Sequence, residues 1–251
     1  MALPFCTDRG RPLGVHNRSA SPFREKCLHC RRRKPGWFCD FSPQVLVEYD
    51  AIGTTILLPT GSILFTEGQA PRVVATICEG RIKLTKSSQD GRTLIVKVAK
   101  AGDVLGLTAA LRHAPYEVTA QAIEPSHVMT FSRSDFLHFL ERHPEGSLHA
   151  AESLSKEYIS VLNEACRLAL APTIAGRVAH LLLELAREED VLPSLQPEIH
   201  MPLKHEDLAS MLGSSRESVT RALNELKRQK IISIRGTKIV LLRRDALELL
   251  L

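Results

Sequence analysis

Residues 205–224 read HEDLASMLGSSRESVTRALN, with small and apolar side chains at the positions where two helices would cross at a tight turn. Ala209 lets the helices approach closely, Gly213 permits a left-handed backbone in the turn, and Val219 seals the crossing. One apolar face of the pair is completed by Leu208, Leu212, Leu223 and Leu226. This spacing predicts a helix-turn-helix near the C-terminus of the 251-residue chain.

The second helix of the pair has a charged first turn. Ser215 caps it, and the polar side chains presented outward are Arg216, Glu217, Thr220 and Arg221. In the major groove of DNA an arginine fork binds guanine O6 and N7, and a glutamate accepts from cytosine N4. A merely solvated helix would explain the charges but not the spacing of Ala, Gly and Val. We therefore expect this helix to bind double-stranded DNA, with Ser215 at the interface.

A short hairpin is predicted after that helix. Apolar runs at residues 231–234 and 238–241 flank the sequence Arg235-Gly236-Thr237, so Arg235 and Lys238 could contact phosphates as a wing does. Residues 201–251 contain ten Lys or Arg against six Asp or Glu, and the whole chain has a net charge of +5. This excess of positive charge fits a nucleic-acid partner.

The preceding residues divide by pattern into an arm and a β-rich region. Residues 1–42 are rich in Arg, Pro, Ser and Cys and have no sustained apolar period. From Val45 to about Phe131, short apolar runs alternate with glycine-containing turns about every ten residues, which is typical of an all-β barrel or roll.

A long helix is predicted after Pro144, with one narrow apolar stripe. The stripe consists of Ala151, Leu154, Tyr158, Val161, Ala165 and Leu168. This 3-4 spacing favours pairing with a second copy of the chain, and the alternative is packing against the β-rich region. Pro172 would end the helix, and Thr173 would cap the next one.

Three short motifs are distributed along the chain: LPTGSILFTEG at 58–68, AGDVLGL at 101–107 and SSRESVTRALNELKRQKIIS at 214–233. In them the chain resembles the bacterial Crp/Fnr regulators, over residues of about 43 to 242. The resemblance implies an α+β fold. Its parts would be an arm (1–42), a β-roll of the cyclic-nucleotide-binding, jelly-roll type (43–142), a dimerisation helix (143–171) and a winged helix-turn-helix (172–251).

The same resemblance implies function. In the family, residues at the places of Arg216, Glu217 and Arg221 contact a TGTGA-like half-site, so we expect a transcription regulator that acts as a homodimer with RNA polymerase as a partner. One branch binds cyclic AMP through a Gly-Glu pair and an Arg-Ser pair. Here Leu107 follows Gly106, and residues 116–118 read YEV where Arg-Ser is expected. Without a fixed cation a buried phosphate has no counter-charge, so a cyclic nucleotide is not expected as the effector.

Four of the six cysteines lie in the first 39 residues. In a reducing cytosol such a cluster indicates metal binding or redox chemistry sooner than disulfides. The stretch CLHCRRRKPGWFC at 27–39 resembles the segment with which the oxygen-sensing Fnr branch holds an iron-sulfur cluster. This resemblance implies a 4Fe-4S cluster on Cys27, Cys30 and Cys39, with aromatic side chains shielding the sulfur atoms.

A fourth ligand is not given by that resemblance, because Met129 stands near the place of the cysteine that the Fnr branch uses. Cys6 is the preferred substitute. Cys78 lies in an apparent strand, where a cysteine is more often a small core residue, and His16 and His29 also stay open. A zinc ion, a metal-free thiol switch and reduced cysteines without a role are the alternatives to a cluster.

Other function classes find less support in the sequence. No apolar run approaches the roughly 20 residues of a membrane span, and the first residues show no signal-peptide core, so we expect a cytoplasmic protein without a membrane partner. A cysteine-based redox enzyme or electron carrier is the alternative from another class. However, RRRKPG follows Cys30 where a thioredoxin-type site needs a helix, and no P-loop, GxGxxG or HExxH motif occurs. We expect no enzyme.

Overall fold

The computed structural model describes residues 27–171, 173–188, 197–200 and 202–251. Residues 54–132 form eight strands: β1 (Thr54–Leu58), β2 (Ile63–Phe65), β3 (Val73–Glu79), β4 (Arg81–Ser87), β5 (Thr93–Lys100), β6 (Val104–Leu105), β7 (Thr119–Ala122) and β8 (Ser126–Ser132). They make two antiparallel four-stranded sheets with the orders β1-β8-β3-β6 and β2-β7-β4-β5. Because side chains alternate along a strand, Ile77 from one sheet and Ile82 from the other are fully buried in a shared core.

Three helices and a turn of 3-10 helix (Cys27–His29) flank the roll: α1 (Pro43–Ile52), α2 (Leu107–Arg112) and α3 (Arg133–Arg142). The expectation that the β-rich region begins at Val45 is wrong, because residues 43–52 form α1. Pro43 stands in the first turn of this helix, where its missing N–H costs no hydrogen bond. Leu46 and Tyr49 follow at helical spacing and pack with Phe131 and Phe136 in a second apolar cluster outside the roll.

The predicted long helix is α4 (Pro144–Leu170), whose 27 residues extend over about 40 Å. Its apolar stripe divides into two parts. Leu154 packs against the second apolar cluster, whereas Tyr158 and Val161 are 68% and 56% exposed in the single chain. Neither α4 nor any other helix of the described residues has the long apolar stretch that a bilayer crossing requires.

The C-terminal unit contains α5 (Ile174–Glu188), β9 (Glu198–His200), α6 (His205–Met211), α7 (Arg216–Arg228), β10 (Ile232–Arg235), β11 (Lys238–Leu241) and α8 (Arg244–Glu248). Thr173 caps α5, since its Oγ1 accepts from the Gly176 N–H at 3.0 Å. The predicted hairpin is β10–β11, and β9, which the sequence did not predict, adds a third strand in the order β10-β11-β9.

The C-terminal unit also contacts the β-roll. Ile95 of β5 is 1% exposed and belongs to the apolar core that Val178, Val219 and Ile239 form in the C-terminal unit. Beside it, Lys83 Nζ on β4 donates to Asp207 Oδ1 on α6 at 2.7 Å. The outer face of the β2-β7-β4-β5 sheet therefore carries the helix-turn-helix.

Candidate functional site

The helix-turn-helix has the backbone that its sequence predicts. Gly213 takes a left-handed φ of 57°, and Ser214 N–H donates to Ala209 O at 3.0 Å across the turn. Val219 is fully buried at the crossing of α6 and α7. Ser215 caps α7, because its Oγ accepts from the Ser218 N–H at 3.2 Å. The turn and the start of α7 are thus stabilised by contacts within residues 209–219.

Three of the four side chains expected to contact bases are exposed on the first two turns of α7, namely Arg216, Glu217 and Arg221. The backbone N–H at the helix start and the Ser215 hydroxyl lower the pKa of Glu217, so its carboxylate is charged and can accept from a base. Thr220 differs from the expectation. It is half-buried, and its hydroxyl forms a 3.0 Å hydrogen bond with His205 Nδ1 on α6, which ties the two helices together.

The wing carries Arg235 and Lys238 at paired positions of β10 and β11, and both are exposed. Lys238 already has a partner, because its ammonium forms an ion pair with Glu198 on β9. Glu198 was not among the residues predicted from the sequence. Strand β9 is only three residues long, and no local pattern indicates that it pairs with β11.

A second set of functional side chains lies between α1 and the outer face of the β1-β8-β3-β6 sheet. Residues 27–42, here called the cysteine segment, bring Cys27, Cys30 and Cys39 to one cavity of about 30 Å³, and Cys78 of β3 lines the same cavity. Cys6, the preferred fourth ligand, and His16 lie outside the described residues. His29 is exposed and does not line the cavity.

Comparison with known families identifies both units. Residues 55–143 match the family described as cyclic nucleotide-binding domain, and residues 176–250 match the Crp-like helix-turn-helix domain. The chain belongs to the Crp/Fnr family. It is therefore a DNA-binding transcription regulator, as the sequence predicts. The expectation that it is no enzyme is confirmed because members of this family are regulators.

Similar proteins cover most of the chain. The transcriptional activatory protein AadR of Rhodopseudomonas palustris is 28% identical over 210 residues, which is 82% of this chain and 84% of AadR. The nitrogen fixation regulation protein FixK of Bradyrhizobium diazoefficiens is 27% identical over 208 residues, 83% of this chain and 86% of FixK. The structure of FixK2 from Bradyrhizobium japonicum is similar to this one, with a TM-score of 0.70 at 24% sequence identity. The match covers 79% of this chain and 97% of the FixK2 chain. This likeness confirms the predicted α+β fold.

In this Crp/Fnr regulator the cysteine side chains that line the cavity are partly buried. Burial raises the pKa of Cys39 to about 12 and that of Cys78 to about 11. It raises the pKa of Cys27 as well, with the carboxylate of Asp50 as the second cause. These thiols are neutral at physiological pH, and any metal that binds must displace their protons. Within the described ranges no three His, Cys, Asp or Glu side chains are already arranged to hold a metal ion.

The chemistry of the donor set fits an iron-sulfur cluster or zinc, since both take four thiolates. Four thiolates around either group leave a net negative charge. Arg33 lines the same cavity, and its Nη1 is buried with no hydrogen-bond partner in the part of the chain that the structure describes. A buried N–H that lacks a partner is costly, and an anionic occupant of the cavity would supply the missing acceptor.

None of the described residues that line the pocket of the β-roll, a cavity of about 210 Å³, is an arginine, the residue with which the family binds a cyclic phosphate. The Tyr116 ring stacks on Phe65 with the centroids 4.0 Å apart, and its hydroxyl donates to Val73 O at 2.7 Å. At the same pocket, Lys97 is paired with Asp103 at 3.1 Å. Tyr116 therefore packs inside the roll at the place of the family's nucleotide-binding arginine. Lys97 is paired with an acidic side chain, and Lys100 and Lys156 also line the pocket.

Proposed function

We propose that this Crp/Fnr regulator is a cytoplasmic, homodimeric transcription activator whose DNA affinity depends on an iron-sulfur cluster, of the 4Fe-4S type, at the cysteine site. The observation that supports the proposal is the convergence of four cysteines on one cavity beside the unpartnered Nη1 of Arg33. Cys27, Cys30 and Cys39 hold the cluster, and either Cys6 or Cys78 is the fourth ligand. When bound, such a cluster supplies an oxygen-labile link between these residues.

Contacts of the cysteine segment with α4 give the site a route to the dimer helix. Lys156 Nζ donates to Gly36 O at 2.8 Å, and His149 Nδ1 donates to Phe38 O at 3.0 Å. Both the N–H and the hydroxyl of Ser42 donate to the carboxylate of Glu145 at 2.8 Å. A rearrangement of the segment between Cys30 and Cys39 therefore changes how α4 is held. Occupancy of the site would select between two arrangements of the dimer.

The exposed half of the α4 stripe supports a two-fold dimer. Tyr158 and Val161 are largely exposed in the described part of the single chain, and a second α4 would bury them. Paired recognition helices would then enter successive major grooves, so half-sites should lie about 34 Å apart. Selection of bound sequences from a random pool should return a palindrome, and a non-palindromic consensus would contradict the dimer.

Two further parts of the proposal concern partners. AadR, a relative over most of the chain, is named an activatory protein, which favours activation through contact with RNA polymerase. The paired Lys97 and the stacked Tyr116 in the roll argue against a cyclic nucleotide as the effector.

The test is the metal content and DNA affinity of protein purified without oxygen. We expect a brown protein with iron and sulfide in equal amounts, an absorbance that air bleaches, and a DNA affinity that changes with it. Serine at Cys27, Cys30 or Cys39 should abolish the colour. The matched control is Cys166→Ser, because Cys166 is exposed on α4 and remote from the cavity. A colourless protein with stoichiometric zinc would make the site structural, and a metal-free protein would leave only a thiol switch.

A further inference from the structure

Cys78 does not belong to the interior of the β-roll. Side chains alternate along β3, so Ile77 faces the roll core while Val74 and Cys78 pack with the outer apolar cluster. Thr76 lies on the same outer face, where its hydroxyl forms a 2.6 Å hydrogen bond with Tyr49 of α1. The register of β3 against β8 shifts between Ile77 and Glu79, and such a bulge re-aims the side chain at that point.

The surroundings of Cys78 consist of potential ligands and one cation. Cys27, Cys30 and Cys39 line the cavity with it, and so does Arg33. Met129, which stands near the place of the cysteine that the Fnr branch uses, pairs with Thr76 across the β3–β8 ladder, and its sulfur is 3.5 Å from Cys27 Sγ. A thiol on β3, as in Cys78, therefore lines the same cavity as a thiol at the position of Met129 on β8 would.

We infer that Cys78 is the fourth thiolate of the cysteine site, which therefore joins the cysteine segment to strand β3. The inference rests on the proposed function, since it assumes that the site takes an iron-sulfur cluster or zinc. Cys27 and Cys39 bound a segment of eleven residues that lines the cavity, and Cys78 lines the cavity from a strand that is hydrogen-bonded on both edges. A ligand on such a strand is held more rigidly than one on a loop.

This assignment gives the segment two anchors. On one side its cysteines share a metal group with β3, and on the other side Gly36 and Phe38 are bound by α4 through their carbonyl oxygens. Loss of the group would release the first anchor and leave the second. A ligand at Cys6 would instead close a loop within residues 6–39 and would leave β3 unlinked.

The test compares Cys78→Ser and Cys6→Ser with Cys166→Ser as the control. Each variant is loaded separately with ferrous iron plus sulfide and with zinc chloride, and bound metal per chain is measured after gel filtration. Cys78→Ser should lose both groups, whereas Cys6→Ser and Cys166→Ser should retain them. Cobalt(II) loading gives a second readout, because the thiolate charge-transfer absorbance should fall in Cys78→Ser and stay unchanged in Cys6→Ser.

A wild-type measurement covers the case in which Cys78→Ser does not fold. Zinc loading of the unsubstituted chain should slow the iodoacetamide labelling of Cys78, read by peptide mass spectrometry, and leave the labelling of Cys6 at its metal-free rate. Protection of Cys6 alone, or metal loss confined to Cys6→Ser, would overturn the assignment of Cys78 while preserving the proposed function. An unsubstituted chain that binds neither group would overturn both.

Discussion

The DNA-binding surface and the cysteine site are built in opposite ways. Every side chain assigned to the DNA-binding surface lies between Ser215 and Lys238, on a helix and a hairpin that follow one another in sequence. The cysteine site draws on residues 27–39 and on Cys78, which only the packing of the cysteine segment against β3 brings together. A contiguous site can be inferred from its local pattern, whereas an assembled site needs the tertiary structure.

The two regions also differ in how complete they are without a ligand. At the start of α7 the cap on Ser218 N–H and the bond between His205 and Thr220 are already made. At the cysteine site, burial raises the pKa of the Cys27, Cys39 and Cys78 thiols, and Nη1 of Arg33 has no hydrogen-bond partner among the described residues. The DNA-binding surface is thus preorganised, while the cysteine site is completed by what it binds.

The largest effect should come from Val219→Asp, which puts an unpaired carboxylate in the fully buried crossing of α6 and α7. We expect a loss of about 3 kcal/mol or more of folding free energy and no specific DNA binding. If the DNA-binding surface and the cysteine site unfold independently, the bound metal should be retained. Iron and zinc assays on protein purified without oxygen measure this. The control is Asn224→Asp, exposed on the same helix. Loss of metal in Val219→Asp would show that the two regions unfold together.

Next in size is Val161→Glu on the exposed stripe of α4. Two carboxylates would face one another across a dimer seam, so sedimentation should show a monomer at concentrations where the unsubstituted chain is a dimer. Asn163→Asp is the control, because Asn163 is exposed on α4 outside the stripe. An intact Val161→Glu dimer would move the interface elsewhere.

Arg221→Ala should weaken specific DNA binding by about 1 to 3 kcal/mol and hardly change binding to random DNA, because a forked contact to guanine discriminates between bases. Titration of both DNAs at one salt concentration measures the difference. Lys227→Ala, an exposed change in the last turn of the same helix, is the control. Equal losses on both DNAs would remove Arg221 from the base contacts.

The smallest effects are expected in the wing. Arg235→Ala and Lys238→Ala should each weaken binding to all sequences alike and reduce the salt slope by about 1. The loss of DNA affinity should be smaller in Lys238→Ala than in Arg235→Ala, because Lys238 must leave its ion pair with Glu198 to reach a phosphate. Glu198→Gln removes that competition and should strengthen binding to random DNA. A preference for one sequence in either alanine variant would mean base contact instead.

The sequence predicted the elements whose causes are local. The turn at Gly213, the caps at Thr173 and Ser215 and the long helix α4 all follow from residues within a few positions of one another. It missed β9, which is defined only by its pairing with β11, and it began the β-rich region at Val45, which lies inside α1. Cys78 was treated as a small core residue because periodicity shows that a strand has two faces, but not which face meets the cysteine segment. The roles of the site residues remain predictions.

The position of Ile95 affects how the regulator unfolds. Its side chain lies on a strand of the β-roll yet completes the apolar core of the C-terminal unit. Units that share core residues tend to open together, so amide hydrogens of β5 should exchange with solvent at the rate of those in α5 and α7 rather than at the rate of β1. A fragment that begins at Thr173 would therefore expose an apolar gap where Ile95 had been.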